Sequence, residues 1–360
     1  LDVSTEFKNE LFNDNRDFLP FLDITLRNGK VLNLTRKDVW QNSMSIEDAT
    51  SAGNTFTIGA AVTGKLTVTL NNIYDDFSEY DFSDATVVAY VGLQLSNALE
   101  KVRVGTFVVD EPSYDGSTIS LTFLDNMVKF DKPYSKSTLQ YPATLGQILA
   151  DACNCCGVSL QSANFPNNGY VVKNRPKDDA LTFGDIIACV AQVAGCWAKM
   201  DVYGRLKLGW YNMSVFEKNA NLNGGTFETS TTPYSDGDTV DGGNFKDYSS
   251  GASMNGGTFV DQKAYHHIFS TKTFTMSTDD AVITGIRVTE EFEETETDKP
   301  ATRLVGNEGY VVEVSGNALI QKGAAQTVAN YLYNRIGGMR FRPLEVECLT
   351  NPAIEAGDIA

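Results

Sequence analysis

The stretch from Ser43 to Asn72, SMSIEDATSAGNTFTIGAAVTGKLTVTLNN, constrains this chain more than any other, because its apolar residues recur at every second position. Phe56, Ile58, Leu66, Val68 and Leu70 alternate with Thr55, Thr57, Lys65, Thr67 and Thr69, the period of a strand with one buried and one wet face. Gly53-Asn54 and Thr63-Gly64 read as turns between successive antiparallel strands. Nothing in the stretch performs covalent chemistry, so its message is architectural.

The same pattern continues to about Ser135, a first region expected to be β throughout. Asp23–Arg27 and Val31–Leu34 flank Asn28-Gly29, the dipeptide suited to a type I′ hairpin turn. Further strands are expected at Thr86–Leu95, Val102–Asp110 and Ser117–Leu124, the last two joined across Ser113-Tyr114-Asp115-Gly116. Short strands at this spacing predict a barrel or sandwich.

From about Lys136 the period changes to that of helices. Thr144 and Gln147 predict a capping box for a helix with Leu145, Ile148, Leu149, Ala152, Cys153 and Cys156 on its apolar face and Gly157 at its end. Thr182 and Asp185 open a second helix, with Ile186, Cys189, Val190, Val193 and Trp197 on one side. Strands near Ala198–Val202 and Arg205–Tyr211, turning at Tyr203-Gly204, complete a small α+β module over 136–212. Residues 213–264 are rich in Gly, Asn, Ser and Thr and repeat a short unit: Asn223-Gly-Gly-Thr-Phe227, Asp241-Gly-Gly-Asn-Phe245 and Asn255-Gly-Gly-Thr-Phe259. A turn dipeptide before an aromatic predicts an insertion of short hairpins or stacked loops. Residues 265–360 return to β, with strands at Phe274–Met276, Ala281–Glu290 and Tyr310–Val314. One helix there carries Ala325, Val328, Ala329, Leu332 and Ile336 on its apolar face and stops at Gly337-Gly338. Arg340–Leu349 alternates again, with Phe341, Leu344, Val346 and Cys348 as candidate inward positions. The fold class expected is mainly β: two β-barrel-like domains, 1–135 and 265–360, flanking the α+β module, plus the Gly/Asn-rich insertion.

Composition excludes some functions. With 29 basic against 46 acidic residues the net charge is −17, which disfavours nucleic-acid binding through clustered cations. At 360 residues and 42% hydrophobic, the chain has material for two or three cores. Its apolar runs fall short of the roughly 20 residues that span a bilayer, so a soluble chain is expected. It begins without Met and stops at Gly357-Asp358-Ile359-Ala360, which reads as the start of a strand and predicts a fragment of a longer protein.

Six cysteines, at 153, 155, 156, 189, 196 and 348, contain a Cys153/Cys156 pair without a matching second pair, so buried thiols are expected ahead of a zinc site. Free thiols of this kind suit folding in a reducing compartment. No H-E-x-x-H, G-x-S-x-G or Walker A motif is present. Any Ser-His or Cys-His mechanism must use His266 or His267, the only histidines. The acidic run Glu290, Glu291, Glu293, Glu294 and Glu296 reads as a solvated hairpin tip ahead of a glycosidase pair, which needs two carboxyls held apart across a cleft. No catalytic, cofactor-binding or metal-binding residue is assigned.

Taken in order, TFTIGAAVTGKLTVTLNN and VRVGTFVVDEP in a β domain, ATLGQILADACNCCGV opening a middle module, the Asp/Asn-Gly-Gly repeats and a closing NPAIEAGDI loop resemble the hub proteins of phage and prophage tails. The resemblance covers nearly the whole chain and rests on strand pattern and order. It implies a homotrimer with two similar β-barrel domains per subunit, closed into a pseudo-sixfold ring. Such a ring joins a sixfold tail tube to a threefold tip or spike. It further implies other tail proteins as partners, a place in the virion tail after assembly in the host cytoplasm, DNA passing without specific binding, and no enzymatic activity. Two rival readings are a glycan- or receptor-binding module using Phe227, Phe245 and Phe259, and a tail-associated cell-wall hydrolase whose catalytic part lies elsewhere.

Overall fold

The computed structural model describes residues 1–13, 16–51, 56–210, 269–277, 281–295, 297–341, 344–349 and 351–357. Residues 1–210 and 267–358 cluster as one compact unit and 211–266 with 359–360 as another, of which nothing is described. The Asn/Asp-Gly-Gly-x-Phe repeat and His266 and His267 lie outside the described residues.

The first region is not β throughout. Helix α1, Thr5–Glu10, starts at Ser4, whose hydroxyl accepts the Phe7 amide. It sends Phe7, with Leu11, into a small core with Leu93, Leu95 and Val102. Strands β1 (Phe18–Thr25), β2 (Val31–Leu34), β3 (Ser45–Glu47), β4 (Lys65–Asn71), β5 (Thr86–Gln94), β6 (Leu99–Asp115) and β7 (Thr118–Asp125) form one antiparallel sheet in the order β2-β1-β5-β6-β7-β4-β3. The path has two ends and does not close into a barrel. Alternation works as expected in β4, where Leu66, Val68 and Leu70 are buried and the residues between them are not. These side chains join Leu22, Ile24, Val87, Phe107, Ile119, Leu121 and Phe123 in the main core.

Two local expectations are corrected. Only Gly29 takes a positive φ in the β1–β2 turn, so the connection is a turn closed by Gly29 N–H to Leu26 O with a glycine bulge, not type I′. Phe56–Ile58 forms no strand of this sheet. Gly59 N–H instead donates to Cys196 O, Ala198 N–H to Ala60 O and Val62 N–H to Ala198 O, so this stretch is held by the following module. Gly53 and Asn54 lie outside the described residues.

The module begins after a 3-10 turn, Asn126–Phe130, with β8 (Ala143–Thr144) and helix α2 (Leu145–Cys156). Both predicted capping boxes are present, Thr144 with Gln147 and Thr182 with Asp185. The six predicted apolar residues of α2 are all buried, and the helix ends at left-handed Gly157. Strand β9 (Val171–Val172) pairs with β8, and helix α3 (Phe183–Ala194) buries Ile186, Cys189, Val190 and Val193. Trp197 is not on that helix. Gly195 ends it, and Trp197 opens β10 (Trp197–Met200), which pairs with β11 (Leu206–Gly209).

In the last region β12 (Phe269–Met276) pairs only with β17 (Leu344–Leu349) among the described residues. Strand β13 (Ala281–Thr289) lies between β14 (Thr302–Gly306), antiparallel, and β15 (Tyr310–Val314), parallel. After helix α4 (Ala325–Ile336), β16 (Arg340–Phe341) pairs with the start of β13. The five predicted apolar residues of α4 are buried. Strand order here differs from that of the first sheet, so the described strands do not build two alike barrels. Leu344 and Cys348 are exposed, not inward: β17 belongs to a two-stranded ribbon, and strand alternation does not by itself bring another element onto one of its faces. Glu290 also departs from the solvated tip. It is buried and its carboxylate accepts the amides of Ala301 and Gly323, whereas Glu291, Glu293 and Glu294 are exposed and Glu296 is outside the described residues.

Candidate functional site

The chemistry gathers where the first sheet, the module and the 351–357 loop meet. A cleft of about 450 Å³ there is lined by Ile46, Asp48, Val104, Phe107, Asp125, Lys199, Met200, Ile354 and Glu355 among others. At its base stands Lys199, in a strand whose four residues are all buried. Gly195 ends α3 just upstream, and β10 is then held between β11 on one side and the 59–62 segment on the other. A lysine so placed cannot reach bulk water, so it must find a partner inside. Asp48 Oδ2 lies 2.5 Å from its Nζ, Ala356 O accepts at 3.3 Å, and Glu355 stands 4.0 Å away.

Lys199 is also directly opposite Lys207 in the β10–β11 register, and like charges facing each other across strands repel. Glu355 offsets this. It lies 3.9 Å from Lys207 as well, so one carboxylate serves two lysines.

Asp125 forms the second pole. Its Oδ2 accepts the Gly64 amide at 2.7 Å and its Oδ1 the Met127 amide at 2.9 Å, which caps the 3-10 turn. Burial pushes its carboxyl up to about 6, with the nearby Asp48 adding to the rise and the two amides and Lys199 working against it. Close by, Asp201 accepts the Arg205 guanidinium at 2.7 Å, and Arg103 and Thr106 both donate to Val202 O. Lys199, Asp48, Asp125 and Glu355 each engage a part of the chain distant in sequence, an arrangement suited to holding three segments together.

The predicted sites fall elsewhere. Cys153, Cys156, Cys189 and Cys196 are buried and Cys155 and Cys348 exposed. Burial pushes the thiols of Cys153 and Cys196 up to about 12 and that of Cys189 up to about 11, the opposite of an activated nucleophile. Among the described residues no three His, Cys, Asp or Glu side chains are grouped as around a metal ion.

No family model and no curated protein matches the chain. Solved structures do. The chain is similar to the 43 kDa tail protein of prophage MuSo2 from Shewanella oneidensis, at 14% identity over 88% of this chain and 79% of that one, with a TM-score of 0.41. It is likewise similar to the tail protein from Neisseria meningitidis MC58, at 12% identity over 87% and 77%, with a TM-score of 0.42. The Francisella PdpA-VgrG complex matches at 12% identity over 84% of this chain and 43% of that one, with a TM-score of 0.41.

Sequence reasoning missed Lys199, Asp48, Asp125 and Glu355. One signal was available: Lys199 is the lone charge in Trp197-Ala-Lys-Met200, directly after the helix-ending Gly195-Cys196, and a lysine inside an apolar strand demands a buried carboxylate. The partners it meets, the Asp48 carboxylate and the Ala356 carbonyl, lie 151 and 157 residues away in sequence.

Proposed function

We propose that this chain is a structural hub component of a phage or prophage tail, a homotrimer whose ring joins the tail tube to the tip or spike and leaves a passage for DNA. The observation that carries the reading is the surface left uncovered by the β elements. Among the described residues, the outer edges of β2 and β3 in the first sheet have no further strand beside them. The β12–β17 ribbon exposes Phe274, Met276 and Leu344, which share one face through the Phe274–Val346 and Met276–Leu344 pairings. Exposed edges and apolar ribbon faces are liabilities in a lone subunit and assets in a closed ring.

The sequence resemblance supports the same reading, with 1–135, 136–212, 213–264 and 265–360 as its four parts. Because the strand orders of the two β regions differ, the ring is proposed as threefold, with two unlike β regions per subunit. Three copies would carry three times −17 formal charges, which lets DNA pass without adhering. Other tail proteins are its proposed partners and the virion tail its location. No catalytic, cofactor or metal residue is assigned to it.

Light scattering on the purified chain tests this. The expected mass is about 118 kDa, three times 39.3 kDa. A mass of 39.3 kDa that persists at concentrations of several hundred micromolar refutes the ring.

A further inference from the structure

Two groups of opposite charge stand at the two ends of β7, away from the cleft. The first is the loop 72–84 between β4 and β5, which carries Asp75, Asp76, Glu79, Asp81 and Asp84, all exposed. It leaves β4 after Asn71, which pairs with Thr118 at the start of β7. Asn72 fixes the loop against the β6–β7 hairpin tip. Its buried side chain donates to Gly116 O at 3.2 Å and accepts the Phe77 amide at 2.9 Å, and its backbone N–H donates to Ser117 O. So anchored, the loop holds Ile73 and Tyr74 out to solvent, with Tyr74 82% exposed. Two cations reach this loop among the described residues: Arg27 lies 3.3 Å from Asp84, and Lys30 sits 4.1 Å over the Tyr80 ring.

The second group follows the other end of β7, beyond the 3-10 turn Asn126–Phe130. Lys132 and Lys136 flank buried Tyr134, whose carbonyl accepts Arg175 at 2.9 Å and whose ring lies 4.9 Å beneath the same guanidinium. This contact brings Lys173 and Lys177 beside the 132–136 segment. Lys132, Lys136, Lys173 and Lys177 are exposed and make no ion pair among the described residues. Asp131, Asp178 and Asp179 are interspersed with them, and Asp178 accepts the Ala180 amide.

We propose, resting on the ring reading above, that the 72–84 loop of one subunit docks on the Lys132–Arg175 patch of the next. The eight residues of β7 span roughly 25 Å, more than twice the screening length of about 10 Å at 0.1 M salt. The two groups of one copy therefore do not neutralise each other. A subunit that presents one group at each end joins its neighbour head to tail, the heterologous contact from which closed rings are built. The loop also offers an aromatic face to its cationic occupant. A lysine or guanidinium stacks on such a ring, as Lys30 already does on Tyr80, and Tyr74 presents a second ring to solvent. Copies with a net charge of −17 repel one another, so a cationic patch sets where and in which direction they meet.

Sedimentation velocity of the full chain across a concentration series tests this. Asp76→Lys with Glu79→Lys should weaken assembly at least about tenfold, and Lys132→Glu with Lys136→Glu should do the same. All four changes in one chain should restore it, because the loop is then cationic and the patch acidic. In the unsubstituted chain, assembly should weaken as salt rises from about 0.05 M to about 0.5 M. Trimers that ignore salt overturn the proposal whether or not any variant folds. So do folded double variants that assemble normally, or a folded fourfold variant as weak as either double. In each of these cases the ring itself stands. An unsubstituted chain that stays monomeric at every concentration refutes the ring and this contact together.

Discussion

Replacing Lys199 with methionine separates the charge of the cleft lysine from its volume. Methionine fills nearly the same space and removes the ammonium, so the volume of the buried side chain is largely kept while Asp48 loses its lysine and Glu355 keeps only Lys207. Lys199 is 3% exposed and Glu355 15%, but Asp48 is 36% exposed and regains some water. Breaking a fully buried pair costs about 3–5 kcal/mol, and the half-solvated Asp48 places this case near 3 kcal/mol. In a unit of this size that corresponds to a fall in Tm of roughly 6 °C. Differential scanning fluorimetry at pH 7 and a urea titration should agree on it. The double change Lys199→Met with Asp48→Asn should then be less harmful than the sum of the two single changes, by at least about 1 kcal/mol. A single-variant shift below about 2 °C, or strictly additive singles, would show that the ion pair holds nothing together and would refute the reading of the cleft as a joint.

Four other outcomes are expected. Asp125 has a folded value of about 6 against 3.8 unfolded, so its stabilising contribution is complete below pH 3.8 and lost as pH rises through 6. The urea-derived stability of the unsubstituted chain relative to Asp125→Asn should therefore decline by about 3 kcal/mol between pH 3.5 and pH 7.5, and a constant difference would contradict it. Gly59→Ala should cost roughly 3 kcal/mol, because φ is +81° and the new Cβ would lie 2.3 Å from Gln192 Cβ, whereas Gly116→Ala, with open space around it, should cost about 1 kcal/mol; equal costs in urea would deny the contact between 59–62 and α3. A thiol reagent at pH 8 should modify Cys155 and Cys348 in the native chain and reach the four buried cysteines only on unfolding, as mass spectrometry would register. Deleting Asn221–Val260 with a Gly/Ser bridge should leave the mass by light scattering at three subunits, and aggregation of that deletion would show that Phe227, Phe245 and Phe259 belong to a core.

Helices α2, α3 and α4 were legible in the sequence almost residue by residue, apart from Trp197, which lies beyond α3, whereas the six-residue α1 was read as part of a β region. Thr144, Gln147 and Gly157 mark α2 through hydrogen bonds made within a few residues, and its apolar face follows from the 3.6-residue period alone. Strand β4 was legible for the same reason, since alternation is a local property. The errors arise where partners are distant. Phe56–Ile58 alternates like a strand, yet the adjoining 59–62 segment takes its hydrogen bonds from Ala198 and Cys196. Leu344 and Cys348 alternate as if one face were buried, but among the described residues β17 pairs only with β12. Periodicity states that a strand has two faces and is silent on whether anything covers them.

The cleft extends that argument from folding to function. Lys199 and Glu355 are far apart in sequence, and their meeting depends on Gly195 ending α3, on β10 lying between two neighbours, and on the 351–357 loop bringing Glu355 beside Lys199 and Lys207. Each step is an ordinary piece of local chemistry. Together they place a charge network where the first sheet, the module and the last loop could otherwise slide past one another, and a network of this kind is sensitive to geometry in a way an apolar contact is not. A subunit that must hold its β regions in a fixed relation while its neighbours bear on their exposed edges benefits from such a joint. This ties the cleft to the proposed ring: variants that loosen Lys199 should lower the concentration stability of the assembly before they unfold the subunit, whereas variants confined to the β12–β17 face should dissolve the assembly and leave the cleft intact.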